Sequence, residues 1–187
     1  MYTEILKKSF DKYFEAPLDV WAGFSELCHP VSFAKDEIIK EEGTTERNFY
    51  FIIKGCAGIF LWKENNFVCL DFVFDSSFCG DYMSLLIEKP TPLQVVAMEN
   101  SEMLKISRSD FYKLSTQSIG NVINQISAES AFIIKQQQQI ELLTKSASQR
   151  YEILKERFPG IENRVAQKHL ASYLGITPQS LSRIRNL

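Results

Sequence analysis

The stretch from Gln167 to Leu187, QKHLASYLGITPQSLSRIRNL, leaves the backbone few choices. Thr177 followed by Pro178 supplies a helix N-cap and then a first-turn residue whose missing N–H is harmless. From there Leu181, Ile184 and Leu187 fall three apart, the spacing of one buried helical stripe. Gln179, Ser180, Ser182, Arg183 and Arg185 are left on the other face. In the run before it Leu170, Ala171 and Leu174 face inward, and Ala171 is small where two helices cross closely. Gly175 ends that helix where positive φ is needed, and Ile176 fills the corner. A small residue, a glycine four later, an apolar residue next, then apolar positions five and eight beyond it make a helix-turn-helix pattern.

Such a hairpin lays its second helix in the major groove of DNA. Arg183 matches the O6 and N7 acceptors of guanine, and Gln179 matches the donor–acceptor edge of adenine. Ser180 and Ser182 suit phosphates or bases, and Gln167, Lys168 and Arg185 would hold phosphates. Thr177, at the start of the helix, completes the candidate DNA-binding set. Charge agrees with this reading. From Thr144 onward eight Lys/Arg stand against three acids, net +5, whereas the remainder has thirteen basic against twenty acidic residues, net −7. An acidic body with a basic end suggests two modules, the second meeting a polyanion.

Ahead of this end, residues from about Val31 to Ile106 read as short strands. FYFIIKG, GIFLW, FVCLDFVF, LQVVAM and EMLKIS are rich in aromatic and β-branched residues, with KENN as a turn, and predict a sandwich or barrel. SRSDFYKL then opens a helix, with Ser109 as the expected N-cap. Between Asn121 and Arg157 there is neither Pro nor Gly, and Ile119, Ile126, Ile133 and Ile140 recur every seven residues. A helix of about 25 residues spans nearly 40 Å, more than a small sandwich covers, so it is expected to pair with a copy of itself. A further helix is expected from near Ser146 to the Pro159–Gly160 break. The predicted layout is an effector-sensing domain with N-terminal helices over 1–117, a dimerisation helix over 118–145 and a DNA-binding domain over 146–187.

This order of parts resembles the CRP/FNR family of bacterial transcription regulators. RVAQKHLASYLGITPQSLSRIRNL is similar to that family's DNA-binding hairpin, and FYFIIKGCAGIF and SSFCGDYMSLL resemble its jelly-roll strands and the start of its phosphate-binding cassette. The resemblance implies an α+β chain: an N-terminal double-stranded β-helix of the cyclic-nucleotide-binding type, a long dimerisation helix, and an all-α helix-turn-helix. It implies double-stranded DNA, a second copy and, for an activator, RNA polymerase as partners. It also places an effector pocket at Gly80, Asp81, Tyr82, Met83, Ser84, Thr91 and Pro92. Two departures follow. Nucleotide-binding members carry Gly-Glu and then Arg-Ser; here Gly80-Asp81 and Thr91-Pro92 stand there, and the nearest cation is Lys89. Arg is the natural bidentate partner of a phosphate, so cyclic AMP is not the expected effector, and the pocket is left to an unknown small molecule or to none. The family's β-wing is also not evident after the second helix.

Other classes fit less well. A cupin-like enzyme would set several His around a stoichiometric metal inside its barrel, but between Val31 and Ser107 there is no His. Cys28, Cys56, Cys69 and Cys79 form no CxxC pair and read as core thiols. No metal, cofactor or catalytic residue is expected, and the chain is not read as an enzyme. A jelly-roll sensor acting without DNA stays open as the alternative. There is no transmembrane run and no uninterrupted apolar segment at the N-terminus, so a cytoplasmic protein without a membrane partner is expected.

Overall fold

The computed structural model describes residues 2–11, 13, 15–115 and 118–186, and the side chains of residues 115, 118 and 119 lie outside those described. Two helices open the chain, α1 (Tyr2–Phe10) and α2 (Leu18–Glu26). Strands follow: β1 (His29–Phe33), β2 (Ile38–Lys40), β3 (Asn48–Lys54), β4 (Cys56–Lys63), β5 (Asn66–Phe74) and β6 (Phe78–Cys79). After the short α3 (Tyr82–Ile87) come β7 (Leu93–Ala97) and β8 (Ser101–Ser107). Six helices complete the chain: α4 (Arg108–Ser115), α5 (Ser118–Thr144), α6 (Ala147–Arg157), α7 (Ile161–Arg164), α8 (Gln167–Tyr173) and α9 (Pro178–Arg185).

The strands form two antiparallel four-stranded sheets, in the orders β1-β8-β3-β6 and β2-β7-β4-β5. The architecture is the predicted α+β jelly roll followed by a long helix and a helical hairpin. Strand β3 shows why its sequence runs apolar without alternation: both of its faces are covered. Tyr50 and Ile52 point into the roll against Ala57, Val95 and Met103. Phe49 and Phe51 point outward to a second core built with Leu6 and Phe10 of α1, Trp21 and Phe24 of α2, and Phe111 of α4. Phe10 stacks on Trp21 with centroids 5.1 Å apart. At the β4–β5 hairpin, Glu64 and Asn65 both adopt positive φ, the conformation a tight two-residue connection needs.

Helix α4 is capped two residues before the expected place. Ser107 Oγ accepts the Asp110 N–H at 3.1 Å, so Ser107, not Ser109, does the capping; Ser109 only shares a hydroxyl contact with it. Helix α6 starts with the reciprocal Ser146–Gln149 capping box.

Gly55, between β3 and β4, holds φ at +129°, and a Cβ there would lie 2.2 Å from Ser101 Oγ. Both the conformation and the space demand glycine. Gly55→Ala is expected to destabilise the protein by about 3 kcal/mol or more, read as a lowered midpoint in urea unfolding.

Candidate nucleic-acid interface and effector cassette

The hairpin α8–α9 is assembled by the residues its pattern singled out. Leu170, Ala171, Leu174 and Leu181 are fully buried, and Ile184 is half-buried beside them; Leu187 lies outside the described residues. Gly175 takes φ +66°, and the Ile176 N–H reaches back to the Ala171 carbonyl at 3.0 Å. Thr177 Oγ1 accepts the Ser180 N–H at 3.1 Å, so this hydroxyl serves as the N-cap of α9.

The eight candidate DNA-binding residues divide by what already holds them. Gln179, Ser182, Arg183 and Lys168 are exposed and make no side-chain hydrogen bond or ion pair among the described residues. Thr177 and Ser180 contact one another at the cap. Gln167 Nε2 donates to the Pro178 carbonyl at 3.2 Å, which ties the two helices together. Arg185 Nε lies 3.0 Å from Glu162. Of the eight cations from Thr144 onward, five have such partners: Arg150 on the Leu174 carbonyl, Lys155 on Glu152, Arg157 on Glu141, Arg164 on Asp75 and Glu99, and Arg185 on Glu162. Among the described residues Lys145, Lys168 and Arg183 have none, so much of the charge asymmetry is structural.

The inner face of the hairpin is docked on the outer face of the β2-β7-β4-β5 sheet. Its core is continuous with Cys56, Phe60, Cys69, Phe72 and Met98. Tyr173 packs on Phe72 and His169 edge-on to Phe60. Ser172 Oγ accepts the Cys69 N–H at 2.9 Å. Arg164 donates to Glu99 at 2.5 and 3.0 Å, to Asp75 at 2.8 Å and to the Gly55 carbonyl at 2.9 Å, with its guanidinium over Phe74. Sequence reasoning had counted Arg164 only as one more cation. On the neighbouring side, Lys135 and Gln138 of α5 grip Asp71 of β5 at 2.5 and 3.1 Å.

The seven cassette residues do not converge on one cavity. Asp81 caps α3 by accepting the Ser84 N–H at 3.0 Å. Its other oxygen takes Lys40 Nζ at 2.9 Å and the Thr91 hydroxyl. Lys40 also donates to Thr91 Oγ1 at 2.9 Å and to the Leu93 carbonyl at 2.7 Å. The Lys40 and Asp81 side chains are 3% and 0% exposed. Ser84 bridges the Glu46 N–H and the Lys89 carbonyl. Met83 and Pro92 face solvent, while Gly80 and Tyr82 line a different cleft. The cation at the cassette is therefore Lys40, from a strand far upstream, and the Lys89 side chain is exposed. A Lys already surrounded by a carboxylate, a hydroxyl and a carbonyl has no free donor to offer a phosphate.

Beside this knot sits Glu46, 4% exposed, whose Oε1 accepts the N–H groups of Arg47 and Asn48 while Oε2 makes no full hydrogen bond among the described residues. Burial raises its carboxyl above the usual glutamate range; those N–H bonds pull it down, and the Asp81 charge adds to the rise. The four thiols are all free, and burial raises each of them, Cys28 and Cys79 to about 12. Such thiols are poor nucleophiles at neutral pH. No group of His, Cys, Asp and Glu among the described residues could hold a metal.

These features define a cyclic-nucleotide-binding-type jelly roll joined through a long helix to a helix-turn-helix. Residues 30–118 match the profile of the cyclic nucleotide-binding domain family. Across most of the chain the fold is similar to FixK2 from Bradyrhizobium japonicum (18% identity, 85% of this chain and 83% of that one, TM-score 0.70). It is also similar to CLP of Xanthomonas campestris, a c-di-GMP-responsive global regulator (15%, 91% and 90%, TM-score 0.70). The catabolite activator protein of Thermus thermophilus aligns at 20% identity over 95% and 84%, with TM-score 0.59. At these identities the likeness is one of fold. The comparison with curated proteins gives no match. The jelly roll thus matches the cyclic nucleotide-binding domain model, and most of the chain shares the fold of these solved structures.

Two outcomes are expected of the cassette. Lys40→Met leaves Asp81 buried without its cation and should cost about 3–5 kcal/mol, with much of that recovered in Lys40→Met/Asp81→Asn; chemical denaturation of the three proteins checks this. Glu46 has a folded-state pKa above its unfolded value. Its stabilising contribution is therefore complete below the ordinary glutamate pKa and is lost as pH rises through the folded value. Relative to Glu46→Gln, the native protein should lose stability between acid and neutral pH, as a thermal-shift series in matched ionic strength would show.

Proposed function

We propose that this chain is a dimeric, sequence-specific DNA-binding transcription regulator of the CRP/FNR type. The observation that carries the reading is the outer face of α9. Gln179, Ser182 and Arg183 stand exposed and unengaged there, while Leu181 anchors the helix from beneath. A helix fixed from below with free Gln and Arg side chains above suits insertion into a major groove, Arg183 toward guanine and Gln179 toward adenine. Lys168 is placed to take a backbone phosphate, a contact that adds affinity without sequence information.

Pairing is assigned to α5, a helix of 27 residues. Its face turned away from the jelly roll leaves Phe132, Ile133, Ile140 and Leu143 at 66%, 54%, 58% and 76% exposed. An apolar seam of this length is the kind that a second copy covers. Of the heptad isoleucines, Ile133 and Ile140 lie on that seam and Ile126 is half-buried; the Ile119 side chain lies outside the described residues. Two paired α5 helices would carry two α9 helices to half-sites about one DNA turn, ~34 Å, apart. Control by a small effector in the N-terminal part, without catalysis, completes the reading. The closed Lys40–Asp81–Thr91 knot argues against a cyclic phosphate as that effector. Among the described residues no helix is long and apolar enough to cross a membrane.

The test is selection of bound duplexes from a random pool, followed by salt-dependent mobility shifts. Two-fold related half-sites are expected, with affinity falling as salt rises because phosphate contacts release counterions. Arg183→Ala should cost on the order of 1–3 kcal/mol and relax preference at one base position. Unchanged affinity and base preference in Arg183→Ala would overturn this docking, and indifference to every duplex at low salt would favour a sensor that works without DNA.

A further inference from the structure

On the helix-covered side of the β1-β8-β3-β6 sheet lies a cleft of about 250 Å³. One wall is aromatic, with Phe49 of β3, Phe78 of β6 and Phe111 of α4. The opposite wall is α5, which contributes Asn124, Ser127 and Ser130 together with the apolar Ile126, Ala131 and Ile134. This is not the interior of the roll, which is filled by Tyr50, Ile52, Ala57, Val95 and Met103 on the other face of the same sheet.

Two properties of the cleft point to an occupant. First, a helix that merely packed on an aromatic sheet face would continue the apolar stripe begun by the buried Ile123. Here α5 sets Ile126, Ala131 and Ile134 along the cleft but places three polar side chains at three-residue spacing among them, and none of the three makes a hydrogen bond among the described residues. Second, no Lys, Arg, Asp, Glu or His among the described residues lines the cleft. Phosphates, carboxylates and ammonium groups would enter without a counter-charge, at a desolvation cost the walls do not offset.

We propose that this cleft binds an uncharged, largely apolar small molecule bearing a hydroxyl or carbonyl. Its apolar body lies against the phenyl rings and its polar end meets Ser127, Ser130 and Asn124. Apolar walls with a few convergent polar groups are the usual make-up of a small-molecule site. The ligand touches α5 on the side opposite Phe132, Ile133, Ile140 and Leu143, so one helix carries the ligand contact and the pairing face. The proposal does not depend on DNA binding.

The test uses the full chain with 2-naphthol as the probe and naphthalene-2-sulfonate as its charged counterpart. Saturable binding of 2-naphthol is expected, about tenfold weaker for the sulfonate and about tenfold weaker for Ser127→Leu, which fills the cleft. Amide NMR shifts in the unaltered protein should change at Ser127, Ser130 and Phe111, and this mapping decides the matter if Ser127→Leu does not fold. Equal binding of the sulfonate, undiminished binding to a folded Ser127→Leu, shifts confined elsewhere, or no saturation at the solubility limit would overturn the proposal. Loss of 2-naphthol binding as protein concentration drives dimer formation would overturn it too, by assigning the cleft to the second copy.

Discussion

A guanidinium presents five donors in a rigid fork, and Arg164 directs its fork at three separate turns of the jelly roll. It meets the Gly55 carbonyl between β3 and β4, Asp75 after β5 and Glu99 between β7 and β8, and its flat face lies on Phe74. Those carboxylates hold the guanidinium strongly protonated. Around this clasp the apolar residues of α6 to α9 merge with Phe60, Phe72 and Met98 of the sheet. Helices of seven and eight residues, such as α8 and α9, do not persist alone in water. Their order comes from one another and from the sheet beneath, so the shape of the hairpin and its seat on the jelly roll are a single packing problem.

What the sequence disclosed was local. The cap, the first-turn proline, the glycine with positive φ and the spacing of Leu181 and Ile184 each act within a few residues, and the hairpin was legible from them. The length of α5 was legible for the same reason, since nothing between Asn121 and Ser146 interrupts a helix. What stayed hidden was long-range. Lys40 meets Asp81 across 41 residues, and Arg164 meets Glu99, Asp75 and Gly55 across 65, 89 and 109. No pattern along a chain announces such pairs, because only the fold brings them together. The basic C-terminal segment misled in part on this account, since five of its cations answer to acids or carbonyls within the protein.

The cassette makes the same point about charge. Asp81 sits where nucleotide-binding members carry the acid of their Gly-Glu pair, but its carboxylate is saturated by a helix N-terminus, a lysine and a threonine. A buried charge is tolerable only when so surrounded. The interior of this jelly roll therefore holds a fixed ion pair, and its open cleft lies on the opposite side of the β1-β8-β3-β6 sheet.

Strand β5 is the outermost of its sheet, bonded to β4 on one side only. On its free side Ser172 receives the Cys69 N–H, and Lys135 and Gln138 hold Asp71. Lifting α8 away would free the Cys69 N–H on that edge, and an uncovered strand edge is the template on which strands of other molecules add. Any repositioning of the hairpin is thus bounded by a hazard of self-association, and a large swing is compatible with solubility only if another surface takes over the guarding of that edge.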